Sequence, residues 1–111
     1  MLLNEQIKKE MKKCETADEC RMFMQKALTH YKYKTLYNMC YSDYGQTEFY
    51  EQIKAYQGSD DDFIVLITEL KDSKVVKIKV AFMNTKPAKP HPLFPILNTV
   101  LGRNKIYEYT N

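Results

Sequence analysis

A chain of 111 residues, 44% hydrophobic and 28% charged, has the make-up of one globular domain, which excludes intrinsic disorder and fibrous repeats. At this length roughly 65% of the unfolded surface is buried on folding, so neither disulfides nor metals are needed to hold a core. The net charge is +3 but unevenly spread: residues 35–70 carry one lysine against seven acids, and residues 71–111 carry eight Lys/Arg against two acids. An acidic middle and a basic last third can fold into one mixed surface or two separate faces, and the sequence is compatible with both.

The three cysteines, Cys14, Cys20 and Cys40, are odd in number and form no C-x-x-C pair. That argues against a disulfide framework or a zinc site, and predicts reduced, semi-buried thiols that behave as small hydrophobes. Residues 1–13 lack the apolar core of a secretory signal, and no apolar run approaches the roughly 20 residues of a membrane span. The expectation is a soluble cytoplasmic protein with no membrane partner.

In chain order, Leu3, Ile7, Met11 and Cys14 form a narrow helical stripe. Thr16 followed by Glu19 is a capping box that starts a second helix near residue 17, with Cys20, Phe23, Met24, Ala27, Leu28 and Tyr31 on its apolar face. From Tyr31 the period changes. Tyr31, Tyr33, Thr35, Tyr37, Met39 and Tyr41 alternate with Lys32, Lys34, Leu36, Asn38, Cys40 and Ser42, which predicts a strand; the competing reading continues the helix to about Met39, since no Gly or Pro stops it.

Ser42 to Gly45 reads as a turn. A helix is then predicted over Gln46 to Gln57, burying Phe49, Ile53 and Tyr56 and capped by Gly58, with a loop at Asp60, Asp61 and Asp62. Residues 63–70 and 74–83 form a hairpin. Its first strand is apolar on both faces and belongs mid-sheet. The second turns Val76, Ile78, Val80 and Phe82 to the core and Val75, Lys77 and Lys79 outward. The proline-rich stretch at 86–95 is extended, Leu93 to Leu101 gives a short helix ended by Gly102, and Ile106 to Tyr109 a last strand. The predicted fold is a single α+β domain over 1–111. Two N-terminal helices and one or two further short helices pack on a small, mostly antiparallel sheet with the 63–70/74–83 hairpin at its centre.

Chemistry-bearing motifs are sparse. Glu69-Leu70-Lys71 matches the tail of a metal-nuclease signature, but Asp62 and Glu69 lie at opposite ends of one strand, about 23 Å apart, too far to chelate one ion. The aspartates at 60–62 lack the glycine and glutamate of an EF-hand loop, and Gly45, Gly58 and Gly102 are too scattered for a phosphate loop. Cys40 with His30 or His91 has no local context for nucleophilic catalysis. Lys89, Pro92 and Pro95 match a polyproline-ligand spacing, a frequent chance pattern. No catalytic residue, metal or cofactor is expected.

Two surfaces remain. Six of the nine tyrosines fall between residues 31 and 50. Amphipathic rings among small polar residues suit a protein-binding patch, and Tyr37, Tyr41, Asp43, Tyr44 and Glu48 are its expected members. The leading reading is a non-enzymatic adaptor or inhibitor of a larger protein partner. The alternative is nucleic-acid binding by Lys77, Lys79, Lys86, Lys89, Arg103 and Lys105, against which stands the ordinary use of lysine to guard sheet edges. A small enzyme is the third.

Overall fold

The computed structural model describes residues 3–42, 48–57, 62–83 and 105–111, and at positions 37, 41, 42, 48 and 62 the backbone alone. Among these residues the chain forms two helices, α1 (Leu3–Met11) and α2 (Ala17–His30), and five strands. The strands are β1 (Lys34–Ser42), β2 (Glu48–Gln57), β3 (Asp62–Lys71), β4 (Lys74–Met83) and β5 (Ile106–Thr110). They pair antiparallel in the order β1-β2-β3-β4-β5. Both helices lie on one face, α1 against β3 and α2 against β4 and β5. The architecture is α+β.

α1 stops at Met11, so Cys14 falls outside the helix whose stripe its spacing continues. The second helix starts as its sequence predicts: Thr16 has extended backbone, and its hydroxyl accepts the Glu19 amide at 3.2 Å. The other half of the capping box is shifted, because the Glu19 carboxylate accepts from the Glu15 amide at 3.4 Å rather than from Thr16. α2 ends without Gly or Pro. Lys32 takes a left-handed φ of 60°, the Tyr33 amide donates to the Leu28 carbonyl at 2.8 Å and the Lys32 amide to the Thr29 carbonyl at 3.2 Å. These two bonds form a Schellman arrangement with lysine in the place glycine normally fills.

Of the segment read as a helix over 46–57, residues 48–57 are instead β2, paired on both sides, and 46 and 47 lie outside the described residues. Phe49 and Ile53 sit four apart, a spacing that helix and strand share, since four is two strand periods and about one helical turn. The strand alternation was hidden because Gln52 and Lys54 are buried on the opposite face. Tyr56, assigned to the same helical face, packs against the other cluster, stacked on Phe63 at 5.2 Å. The helix expected over 93–101 lies outside the described residues.

The β3–β4 hairpin turns at Asp72 and Ser73, both with positive φ (51° and 64°). A pair of left-handed residues gives a turn whose twist matches that of the strands it joins. A bulge between Glu69 and Leu70 pairs Leu70 with Val75. It turns Val75 inward to the helix-side core, reversing the expected outward position, while Lys77 and Lys79 keep theirs. Ile64, Leu66, Ile78 and Val80 complete that core with Ile7, Met11, Cys20 and Met24. β3 is central and buried on both faces: Phe63, Val65 and Ile67 form a second cluster with Ala81 and Met83 on the face away from the helices. No helix among the described residues is long and apolar enough to cross a membrane.

Candidate functional site

The tyrosine stretch does not form a single stripe. A bulge between Thr35 and Tyr37 breaks the alternation. Tyr33, before it, is buried; its hydroxyl donates to the side-chain oxygen Oδ1 of Asn4, while the side-chain nitrogen Nδ2 of Asn4 donates to the Phe63 backbone carbonyl at 3.4 Å. That ring ties α1 to the sheet and is unavailable to a partner. Thr35 pairs with Ala55 on the helix side. Beyond the bulge, Tyr37 pairs with Lys54, Met39 with Gln52 and Tyr41 with Tyr50. Directly opposed residues share a face, so positions 37, 39 and 41 lie on the helix-free side with Tyr50 and Tyr56.

Of the expected members, Tyr37 and Tyr41 are thus on one face of β1, and Glu48 opens β2, paired with Lys71. Asp43 and Tyr44 lie outside the described residues. Tyr50 joins Tyr41 by direct pairing. Its membership was obscured by the helix assigned to 46–57, although it belongs to the tyrosine-rich stretch itself.

The register also disperses the charge segregation. Glu48 faces Lys71, Glu69 faces Lys77, and Lys79 faces Glu108. Lys77 is ion-paired with Glu108 at 3.2 Å, and the Lys105 ammonium sits 5.1 Å from the centre of the Tyr107 ring. Lys77 and Lys79 are half-buried. Lys86, Lys89 and Arg103 lie outside the described residues. Of the basic surface, then, the described members are interleaved with acids and aromatic rings.

Polar groups within the sheet are unusual. Gln52 is fully buried, and neither end of its amide finds a hydrogen-bond partner among the described residues. Lys54, beside it on the same face, is 3% exposed. On the helix side, Arg21 of α2 bridges to Glu51 of β2 at 3.4 Å. Next to that pair the sheet is left open by the helices: Cys40, opposite Glu51, is exposed, and Phe49 is 48% exposed; Leu36, at the bulge of β1, is 44% exposed.

The three cysteines are free and differ widely. Cys20 is buried, and loss of solvation pushes its thiol up to about 12, helped by Cys14; burial, then the Glu19 carboxylate, raises Cys14 as well. Cys40 is exposed, which corrects the expectation of three semi-buried thiols. His30 lies exposed at the C-terminal end of α2, its ring edge-on to Tyr31 at 4.7 Å. Among the described residues no three His, Cys, Asp or Glu side chains are grouped to hold a metal. An open groove between α1 and α2 is lined by Cys14, Met22 and Phe23 with Lys13, Glu19 and Lys26.

Comparison of the chain with protein-family models, curated proteins and solved structures finds no match.

Proposed function

We propose that this chain is a small, non-enzymatic cytoplasmic binding protein that holds a larger protein partner, as adaptor or inhibitor, at the end of the sheet where Tyr41 of β1 pairs with Tyr50 of β2. Its contact residues are Tyr37, Tyr41, Asp43, Tyr44 and Glu48, joined by Tyr50. The observation that carries this reading is the pairing of Tyr41 with Tyr50, which sets two tyrosines opposite each other on the face the helices leave free. Tyrosine offers broad, rigid contact area and a hydroxyl for directional bonding at small entropic cost, and such residues dominate the centre of binding patches. The lysines and acids in register near this end of the sheet, Glu48 with Lys71 and Glu69 with Lys77, supply a polar rim.

The test is capture from cytosolic lysate on the immobilised protein, with the retained species identified by mass spectrometry. Tyr41→Ala with Tyr50→Ala is expected to abolish capture while leaving cooperative thermal unfolding in place. Retention of the same partner by the folded double variant sinks the reading. Anisotropy titrations with DNA and RNA at low and physiological salt separate the nucleic-acid alternative, whose affinity would fall steeply with salt.

A further inference from the structure

β1 is an edge strand: among the described residues no strand lies beyond it, and its outer side presents a row of backbone donors and acceptors. The two edges of the sheet are built differently. β5 is five residues long and includes Glu108, with Lys105 just before it. β1 is nine residues long, and its one charged residue is Lys34 at its start. From Tyr37 to Tyr41 it has neither charge nor proline, the devices that normally stop an edge from pairing. Among the described residues the bulge at its start is the one protective feature, and it leaves the run from 37 to 42 in regular register. The helices do not cover this edge, since they pack on β3, β4 and β5.

We propose that two copies of this chain pair through β1, antiparallel, about a two-fold axis at Met39. A two-fold axis perpendicular to the sheet keeps the same face up in both copies, so each residue must meet one of equal parity on the other strand. Centring on Met39 places position 37 opposite 41 and Asn38 opposite Cys40, with 39 facing itself. The stretch from Tyr37 to Tyr41 is used, the bulge stays outside it, and no like charges meet within it. Five residues span about 17 Å, so the added contact is small and the dimer is weak and concentration-dependent. The result joins the described strands of the two copies into one continuous sheet, with α1 and α2 of both copies on one face. The proposal is independent of the partner-binding reading, because it concerns the strand's edge and is tested on the purified chain alone.

The measurement is mass by light scattering or sedimentation over a concentration series of the full chain. The expected result is a rise from monomer towards twice the monomer mass. Asn38→Lys with Cys40→Lys sets lysines opposite one another twice across the axis and is expected to weaken association at least tenfold, with the thermal melt retained. In a Cys40→Ser background, Met39→Cys should give a disulfide-linked pair under mild oxidation. A wild-type chain that stays monomeric throughout overturns the proposal, as does a dimer that the two lysines leave intact. Failure of Met39→Cys to link in a chain that still dimerises overturns it also.

Discussion

The side chains that decide most here are those whose surroundings differ from what their type suggests. Cys20, Cys14 and Cys40 share a chemistry, yet one sits in the core, one at its margin and one on the surface. A thiolate is poorly solvated in an apolar site, so burial favours the protonated form and raises the Cys20 thiol from 9.0 to about 12. At pH 8 its thiolate population is then about a thousandfold below that of an ordinary cysteine. Iodoacetamide is expected to modify Cys40 first and Cys20 last, read by mass spectrometry of the peptides. The same shift has a pH consequence. Above pH 9 the unfolded chain gives up this proton while the folded one keeps it, so the folded state loses stability as pH rises from about 9 towards 12. Cys20→Ala should flatten that part of the melting curve against pH. Equal steepness in the variant and the wild type would assign the alkaline loss to other groups, Tyr109 first, whose hydroxyl is also raised by burial.

At the level of elements, the clearest parts of the sequence were those in which local chemistry and pattern agreed. The Thr16 cap, the 3.6-residue stripe of α2 and the doubly apolar β3 are each set by features within a few residues, and each stands where those features put it. The misreading of β2 has a physical cause. Burial of Gln52 and Lys54 gives one face of the strand polar residues where a core needs apolar ones, and only pairing with β1 and β3 reveals the alternation. The two bulges were equally invisible, because one extra residue reverses every inside–outside assignment beyond it. That is why Tyr33 and Tyr37 part company, and why the expected tyrosine stripe shrank to positions 37 and 41. The turn at Asp72 and Ser73 offers a direct test of element-level strain. Both residues hold a left-handed backbone that a Cβ atom disfavours, and the second position of such a turn prefers glycine. Ser73→Gly is expected to raise stability by up to about 1 kcal/mol, the lost side-chain restraint on the unfolded chain offsetting part of the gain. A urea midpoint that falls on this substitution would mean that the Ser73 side chain contributes more than its backbone costs.

Over the whole molecule, residues far apart in sequence are brought opposite one another and fastened. The acidic middle and basic last third look like opposed blocks when read along the chain, but the antiparallel order sets Glu48 against Lys71, Glu69 against Lys77 and Glu108 against Lys79. Strand order had to be known before that could be seen. The same long-range closure acts at Asn111. Its side-chain oxygen accepts the Asp18 amide at 3.0 Å, and its amide nitrogen donates to the Val75 carbonyl at 2.6 Å and the Asp18 carboxylate at 2.9 Å. Its own backbone amide donates to the Val76 carbonyl at 3.1 Å. Asp18 is in the first turn of α2, where backbone amides have no partner within the helix, so Asn111 supplies the cap that Thr16 leaves unfilled and fastens it to the bulged start of β4. Asn111→Ala removes the three side-chain bonds and keeps the backbone one. With each net bond worth about 0.5–1.5 kcal/mol, and those on the exposed side at the low end, a loss of about 1–2 kcal/mol is expected. Hydrogen exchange should accelerate at the Asp18 amide while the Glu19 amide, held by Thr16, keeps its protection. If stability falls but both amides exchange as before, the bond to β4 carries the effect rather than the cap on α2. Unchanged stability would show that water replaces all three bonds at no cost.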